Sequence, residues 1–485
     1  MRHAASGLRW SWALAPVLFL LLVPSRALTP ASAGEGPALG EDRITQAEIA
    51  AAALSLTEVR RKGRAIFSTP FNKLDGFGDG PVSAHDPISP GGRPTLQGSG
   101  TFLRVNGLDA QSCLECHFVL SAAEVPFSVG VGGLAGSSAS VISRPTFIDV
   151  RNPVGPEGFN GRFINPPFLF GAGGVELLAK EMTADLQALK DVARRSPGQD
   201  VPLITKGGGV SFGVVRYENG GFDTSRVEGI DPDLVVRPFG RKGAFTTARA
   251  FDLGALPFHF GMQPVEVVGE NADGDGDGVV NEVLIGEVSA LSIFITTLER
   301  PDTDRLGAMG RGGAALFGSL GCAACHIPFL TTNSRFLTYS FPEVPTDPYA
   351  NVYYDVDLTD HPTGFARAST GGVIVPLFAD LKRHDMGPEL AESFGSPLDS
   401  QFTTARLWGV ADSAPYLHDS RALTLTDAIL MHGGEARTAR DAFAALADDE
   451  RDKVVRFLRS LRTPSAVGED LEEQPGRREE YLGGR

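Results

Sequence analysis

Four cysteines, and no more, occur in this 485-residue chain, and they share one spacing. They read Cys113-Leu114-Glu115-Cys116-His117 and Cys322-Ala323-Ala324-Cys325-His326. Two disulfides would be the default for an exported chain, but thiols two residues apart on one turn, each pair followed by histidine, fit other chemistry. C-x-x-C-H is the pattern that attaches a c-type haem. The two thiols reach the two vinyl groups, and the histidine places an imidazole under the iron. A redox dithiol would use C-x-x-C without needing the histidine twice. The expectation is two covalent haems, on Cys113/Cys116 and Cys322/Cys325, with His117 and His326 as proximal ligands. No cysteine is left over for thiol chemistry.

Residues 1–33 read as a secretory signal: Arg2 and Arg9, an apolar run from Trp12 to Pro24, and Ala31-Ser32-Ala33 before a cleavage point. The remainder is expected to be soluble and periplasmic or secreted, since no later stretch reaches the ~20 apolar residues of a membrane span. It would carry 41 basic against 59 acidic residues, a balance of −18. Such a surface disfavours nucleic acid and anionic membranes and favours partners with a basic docking face.

The two motifs sit in a loose internal repeat. Gly63-Arg64-Ala65-Ile66-Phe67 precedes the first and Gly313-Ala314-Ala315-Leu316-Phe317 the second. Each half closes with what reads as an amphipathic helix: Val288 to Arg300 before Pro301, and Asp452 to Arg462 before Pro464. The pattern predicts a mainly α fold of two tandem cytochrome c-like domains, 34–300 and 301–465, with irregular and β insertions in the first. Phe71 to Gly100 reads as a loop rich in Gly, Pro and Asp, Gly207 to Phe222 as a hairpin, and 466–485 as a disordered tail.

Two further runs carry a resemblance. Asp412-Ser413-Ala414-Pro415-Tyr416-Leu417-His418-Asp419, with Leu423 to Ile429, resembles the last third of bacterial di-haem cytochrome c peroxidases. The longer run from His384-Asp385-Met386-Gly387-Pro388-Glu389-Leu390 to His432-Gly433-Gly434-Glu435-Ala436 is similar to the family of di-haem oxidoreductases described as putative peroxidases. The resemblance implies that electrons from a small periplasmic donor, a cytochrome or cupredoxin, enter at the C-terminal haem. They would pass to the N-terminal haem, where peroxide or another small oxidant is reduced. Two alternatives stand beside it: an electron-transfer cytochrome with both irons six-coordinate, and a high-valent haem enzyme that oxidises a protein or organic substrate.

The resemblance also places candidate residues. Where relatives commonly supply a methionine as sixth ligand of the second haem, this chain has His432, with Met431 beside it. Thr424 would cap the helix and Gly433-Gly434 end it. Ligation by His432, by Met431 or Met386, or by none of these is open. His418 is expected in a hydrogen-bonded turn or near a propionate, and Arg406 and Arg421 are propionate partners or surface residues. Trp408, the one tryptophan outside the leader, is a core residue or an electron relay. Relatives carry a catalytic glutamate in a Glu-Met-Gly-type segment, and the matching position here is Phe260. His259, Gln263 and Glu266 are the candidate acid–base groups in its place, and His259 could instead ligate the iron.

Asp273, Asp275, Asp277 and Asn281 take positions 1, 3, 5 and 9 of an EF-hand-like calcium loop, with Gly278 at position 6. Leu284 replaces the usual glutamate at position 12, for which Glu282 or Glu287 could compensate. The other reading is a solvated acidic turn.

Overall fold

The computed structural model describes residues 36–78, 102–104, 110, 112–117, 147–149, 165–166, 169–392, 396–465 and 467. The leader, the tail and most of the 71–100 loop lie outside them. Two short helices open the described chain, Gln46–Ala50 (α1) and Leu56–Ser68 (α2), and reciprocal capping starts both. Ser55 accepts from the Glu58 amide at 3.3 Å while the Glu58 carboxylate accepts from the Ser55 amide at 2.8 Å. Thr45 and Glu48 do the same for α1.

Helix α2 packs across a later helix, Ile285–Thr296 (α6). Gly63 allows the crossing, because a Cβ there would sit 2.1 Å from the carbonyl oxygen of Ala290. One turn on, Phe67 meets Phe294 edge to face at 5.5 Å. The second half repeats this geometry between Ala308–Ser319 (α7) and Asp448–Leu458 (α10). A Cβ on Gly313 would fall 1.9 Å from the Lys453 carbonyl, and Phe317 meets Phe457 edge to face at 5.4 Å. Each pair thus carries a glycine and, four residues on, a phenylalanine, against positions spaced by four on the partner. The repeat read in the sequence is a repeat of helix crossings.

Between these pairs run Ala172–Arg195 (α3), Ala248–Ala255 (α4) and the single-turn Val265–Val268 (α5). The first half of α3 is buried on every side, and its second half supports a three-stranded antiparallel sheet of 200–205, 210–218 and 221–223. The expected hairpin is the last two of these strands. Leu425–Leu430 (α8) and Arg437–Ala444 (α9) precede α10. Two apolar clusters form within the unit Pro37–Arg485: a large one around α2, α3 and α6, and a smaller one around Phe317, Phe443, Val454 and Phe457.

Three expectations are corrected. The fold mixes helices with small sheets in both halves, since 336–340 pairs with 352–357 and 383–385 with 401–403 beyond residue 300. The closing helix of the first half is not amphipathic: residues 286–296 are all buried. Ser289 and Thr296 are buried with their hydroxyls bonded within the fold, to Gln46 Oε1 at 2.6 Å and to the Ser292 carbonyl at 2.7 Å. The closing helix of the second half starts earlier, at Asp448, and ends at Leu458, after which Leu461–Arg462 pairs with Asp302–Thr303. Among the described residues no helix is long and apolar enough to cross a membrane.

Candidate functional site: two C-x-x-C-H turns and their surroundings

Both cysteine motifs fold into the same turn. A short 3₁₀ segment carries Cys113–Glu115 and Cys322–Ala324, and the histidine amide bonds back to the first cysteine's carbonyl, at 2.9 Å for His117 and 3.0 Å for His326. Gly321, left-handed at φ 89°, swings the chain from the end of α7 into the second motif.

His326 is held by its Nδ1, 3.0 Å from the Phe378 carbonyl. A proton donated there leaves Nε2 with the lone pair that binds a metal. Burial pushes the His326 ring down to about 4, so it is neutral at pH 7. His432 shows the same arrangement just past the end of α8. Its Nδ1 lies 2.7 Å from the Ala428 carbonyl, and burial lowers its pKa. The two rings stand 6.5 Å apart between centroids. With Nδ1 of each ring turned to a backbone carbonyl, these two imidazoles are the side chains that would hold a haem iron carried on Cys322 and Cys325. Met431 stands partly exposed beside them.

Thr424 caps α8 as expected, accepting from the Asp427 amide at 3.0 Å. Gly433 and Gly434 do more than end the helix. A Cβ on Gly434 would sit 2.0 Å from the Asp385 carbonyl, and one on Gly433 would sit 2.6 Å from that of Met386. They let the 384–387 loop close onto the His432 segment. That loop carries a group with no assigned role in the sequence. His384 lies between Asp380 at 2.8 Å and Glu435 at 2.7 Å, with Cys325 Sγ 3.9 Å away. Burial alone would lower its pKa, but Asp380, then the Cys325 sulfur and Glu435, outweigh burial and raise it to about 11. The partners are 4 and 51 residues away, which hid the cluster in the sequence.

Around the first motif the described residues are fewer, since 118–146 and 150–164 lie outside them. Helix α4 runs into a π turn, Leu256–Phe260, a rare form that recurs at functional sites. His259 sits in this turn, its ring 4.8 Å from that of Phe258 and 6.1 Å from that of Phe260. Phe260 is buried against Phe71. The other two acid–base candidates are engaged elsewhere. Gln263 accepts from the Gly274 amide at 3.0 Å, and Glu266 forms an ion pair with Arg249.

The acidic loop brings Asp273, Asp275 and Asp277 within 4.8 Å of one another. Asp273 also accepts from the amides of Gly276, Asp277 and Gly278. Asn281 pairs with Asn271, Glu282 accepts from the Gln263 amide, and Glu287 binds Arg43. Neither glutamate joins the three aspartates in that cluster. Elsewhere, Trp408 is core, 2% exposed and packed on Phe365. His418 stacks on Phe402 at 4.4 Å, and its carbonyl accepts from the Asn165 amide at 2.7 Å. Arg421 binds Asp419 and the Glu389 carbonyl, while Arg406 donates to the Pro238 carbonyl.

Residues 291–461 match the family described as "di-haem oxidoreductase, putative peroxidase". The matched segment contains the second C-x-x-C-H motif, the His384 loop and His432. No curated protein sequence matches the chain. Among solved structures, hydrazine synthase of Kuenenia stuttgartiensis, pressurised with xenon, aligns at 16% identity and TM-score 0.33, over 95% of this chain and 100% of that one. A MauG-like protein associated with microbial copper homeostasis aligns at 16% identity and TM-score 0.22, over 36% of this chain and 52% of that one.

Proposed function

We propose that this protein, similar over 291–461 to di-haem oxidoreductases, is an exported c-type cytochrome that reduces peroxide with electrons from a small basic donor protein. The observation that carries this reading is the pair of neutral imidazoles, His326 and His432, 6.5 Å apart. A haem held by both imidazoles would serve electron entry rather than binding of an oxidant. The reaction site then falls to the other motif. Under this reading His117 holds the second iron, and Cys113, Cys116, Cys322 and Cys325 make the thioethers. The repeated helix crossings support two tandem haem domains, 34–300 and 301–465. Residues 1–33 direct export, and Asp273, Asp275 and Asp277 hold a calcium ion near the junction.

When bound, the haems supply electron storage and the metal site for the oxidant. The chain supplies the rest. The Phe378 and Ala428 carbonyls fix the His326 and His432 tautomers, and burial keeps both rings unprotonated. His384, positive between Asp380 and Glu435, offsets one of the two carboxylate charges beside Cys325. Each peroxide consumes two electrons from the donor and two protons from solvent and yields two waters. Phe260 at the position of the family's glutamate leaves proton handling to another group.

The test is rapid mixing of peroxide with the haem-loaded protein and a pre-reduced small cytochrome. Two donor equivalents oxidised per peroxide support the proposal. No peroxide-dependent oxidation, with both haems present, overturns it.

A further inference from the structure

His326 and His432 are held by different parts of the chain, and not equally firmly. The carbonyl facing His326 Nδ1 belongs to Phe378, whose buried ring packs on those of Phe317 and Phe457 at 6.4 and 5.8 Å. The smaller apolar core therefore fixes that carbonyl. His432 lies just past α8, a helix of six residues, and the carbonyl facing its Nδ1 is on that same helix. So short a helix does not hold its own end in place, because stability at this length comes from packing. Leu430, Met431, Gly434 and Glu435, close to His432 in the chain, are all exposed. Keeping His432 opposite His326 needs a tie from elsewhere.

The tie is a run of side chains. Among the described residues, Glu435 makes both hydrogen bonds that join 432–436 to the 384–387 loop. Its Oε1 accepts from the Asp385 amide at 2.8 Å, and its Oε2 lies 2.7 Å from His384 Nδ1. His384 passes the connection on, with Nε2 2.8 Å from Asp380 Oδ2. Both ring nitrogens face carboxylate oxygens, so both carry protons, since a neutral imidazole could donate to only one. Hydrogen bonds between charged groups are the stronger kind. The Asp380 side chain is 4% exposed, and its other oxygen accepts from Thr404 Oγ1 at 2.7 Å and from the Lys382 amide at 3.0 Å. Asp380 stands two residues after Phe378. Phe378 and Leu381, on either side of it, have φ of 53° and 63°. Bulky residues keep that left-handed form only where their surroundings hold it.

We propose that His384 is a positioning residue: with Asp380 and Glu435 it latches the segment carrying His432 to the segment that holds His326, and so keeps the second imidazole on the iron. The inference rests on the reading in which both imidazoles bind the iron of the Cys322/Cys325 haem, and adds to it what keeps them there. With the latch broken, His432 leaves the iron more often, and a small ligand from solution takes its place.

The experiment mixes the reduced, haem-loaded full chain with carbon monoxide and follows binding at the Cys322/Cys325 haem. Carbon monoxide enters there only after an axial ligand has left, so the rate reports how often His432 departs. His432→Ala should bind fast. His384→Ala and Glu435→Ala should each speed the slow wild-type phase about tenfold or more, since each loses a charged hydrogen bond. The double variant should be no faster than the faster single, because both break one link. Gly313→Ala, which disturbs the α7–α10 crossing and not the latch, should leave the phase unchanged. A His432→Ala protein that keeps the slow wild-type phase means that the two-imidazole reading has failed, and the latch with it. A fast His432→Ala beside unchanged His384→Ala and Glu435→Ala overturns the latch alone. Equal acceleration by Gly313→Ala also overturns it, by showing a general loss of stability. If His384→Ala does not fold, Glu435→Ala decides: that side chain is 55% exposed, and its removal cuts the latch while sparing the His384–Asp380 pair.

Discussion

His432 shows how one side chain can be legible in sequence while its purpose needs the fold. The Thr424 cap and the Gly433-Gly434 stop place it at a helix end, but only the folded chain sets its ring 6.5 Å from that of His326. Replacing His432 with Met should keep the C-terminal iron low-spin and raise its potential, since thioether ligation favours the reduced iron relative to imidazole. His432→Ala should convert that haem to high-spin in the optical and paramagnetic resonance spectra. A spectrum unchanged in both variants would remove His432 from the iron. Glu343 gives a pH prediction. Burial, then the Glu176 charge, raise its pKa from 4.5 to about 7. The folded state therefore holds this proton more tightly than the unfolded state. The stability it contributes is full below pH 4.5 and is lost as pH rises to about 7, a difference on the order of 3 kcal/mol. Glu343→Gln should flatten that part of a denaturation-against-pH curve. The His384 cluster could not be found from sequence, because Glu435 and Cys325 lie more than fifty residues from it. A His before an Asp carries no pattern of its own.

At the scale of elements, the two helix crossings were half visible. The Gly-x-x-x-Phe repeat could be read, but not that each glycine touches a backbone carbonyl of its partner helix. This contact gives a sharp contrast on α7. Gly313→Ala must push α7 off the Lys453 carbonyl and should lower the melting temperature by an amount equivalent to roughly 2–3 kcal/mol. Gly312→Ala, whose Cβ meets only a lysine side chain at 3.6 Å, should be neutral or stabilise by up to about 1 kcal/mol through helix propensity. Equal melting temperatures for the two variants would show that the crossing is not close. Helix α6 reads as amphipathic because its Ser and Thr residues look polar on paper. In the fold Ser289 and Thr296 bond to other groups of the protein, and the helix is buried all round. The small strands after residue 300 were missed for another reason. They are two to six residues long and take their register from distant partners, as 461–462 does from 302–303.

For the whole molecule, charge and the placement of two iron sites decide what can approach. The chain carries 59 acidic against 44 basic residues. Electron delivery from a basic donor should therefore slow as ionic strength rises from 10 to 200 mM, while delivery from an acidic donor should not. The same rate for both donors across that range would remove electrostatic steering. The division of labour between the sites is the central claim, and it is open to one direct measurement. Electron paramagnetic resonance of the purified, fully oxidised protein, before and after one equivalent of peroxide, reads both irons at once. The account predicts a low-spin signal from the His326/His432 site together with a high-spin signal that peroxide abolishes. Two low-spin signals, unmoved by peroxide and by half-reduction, would contradict it and make the protein an electron carrier.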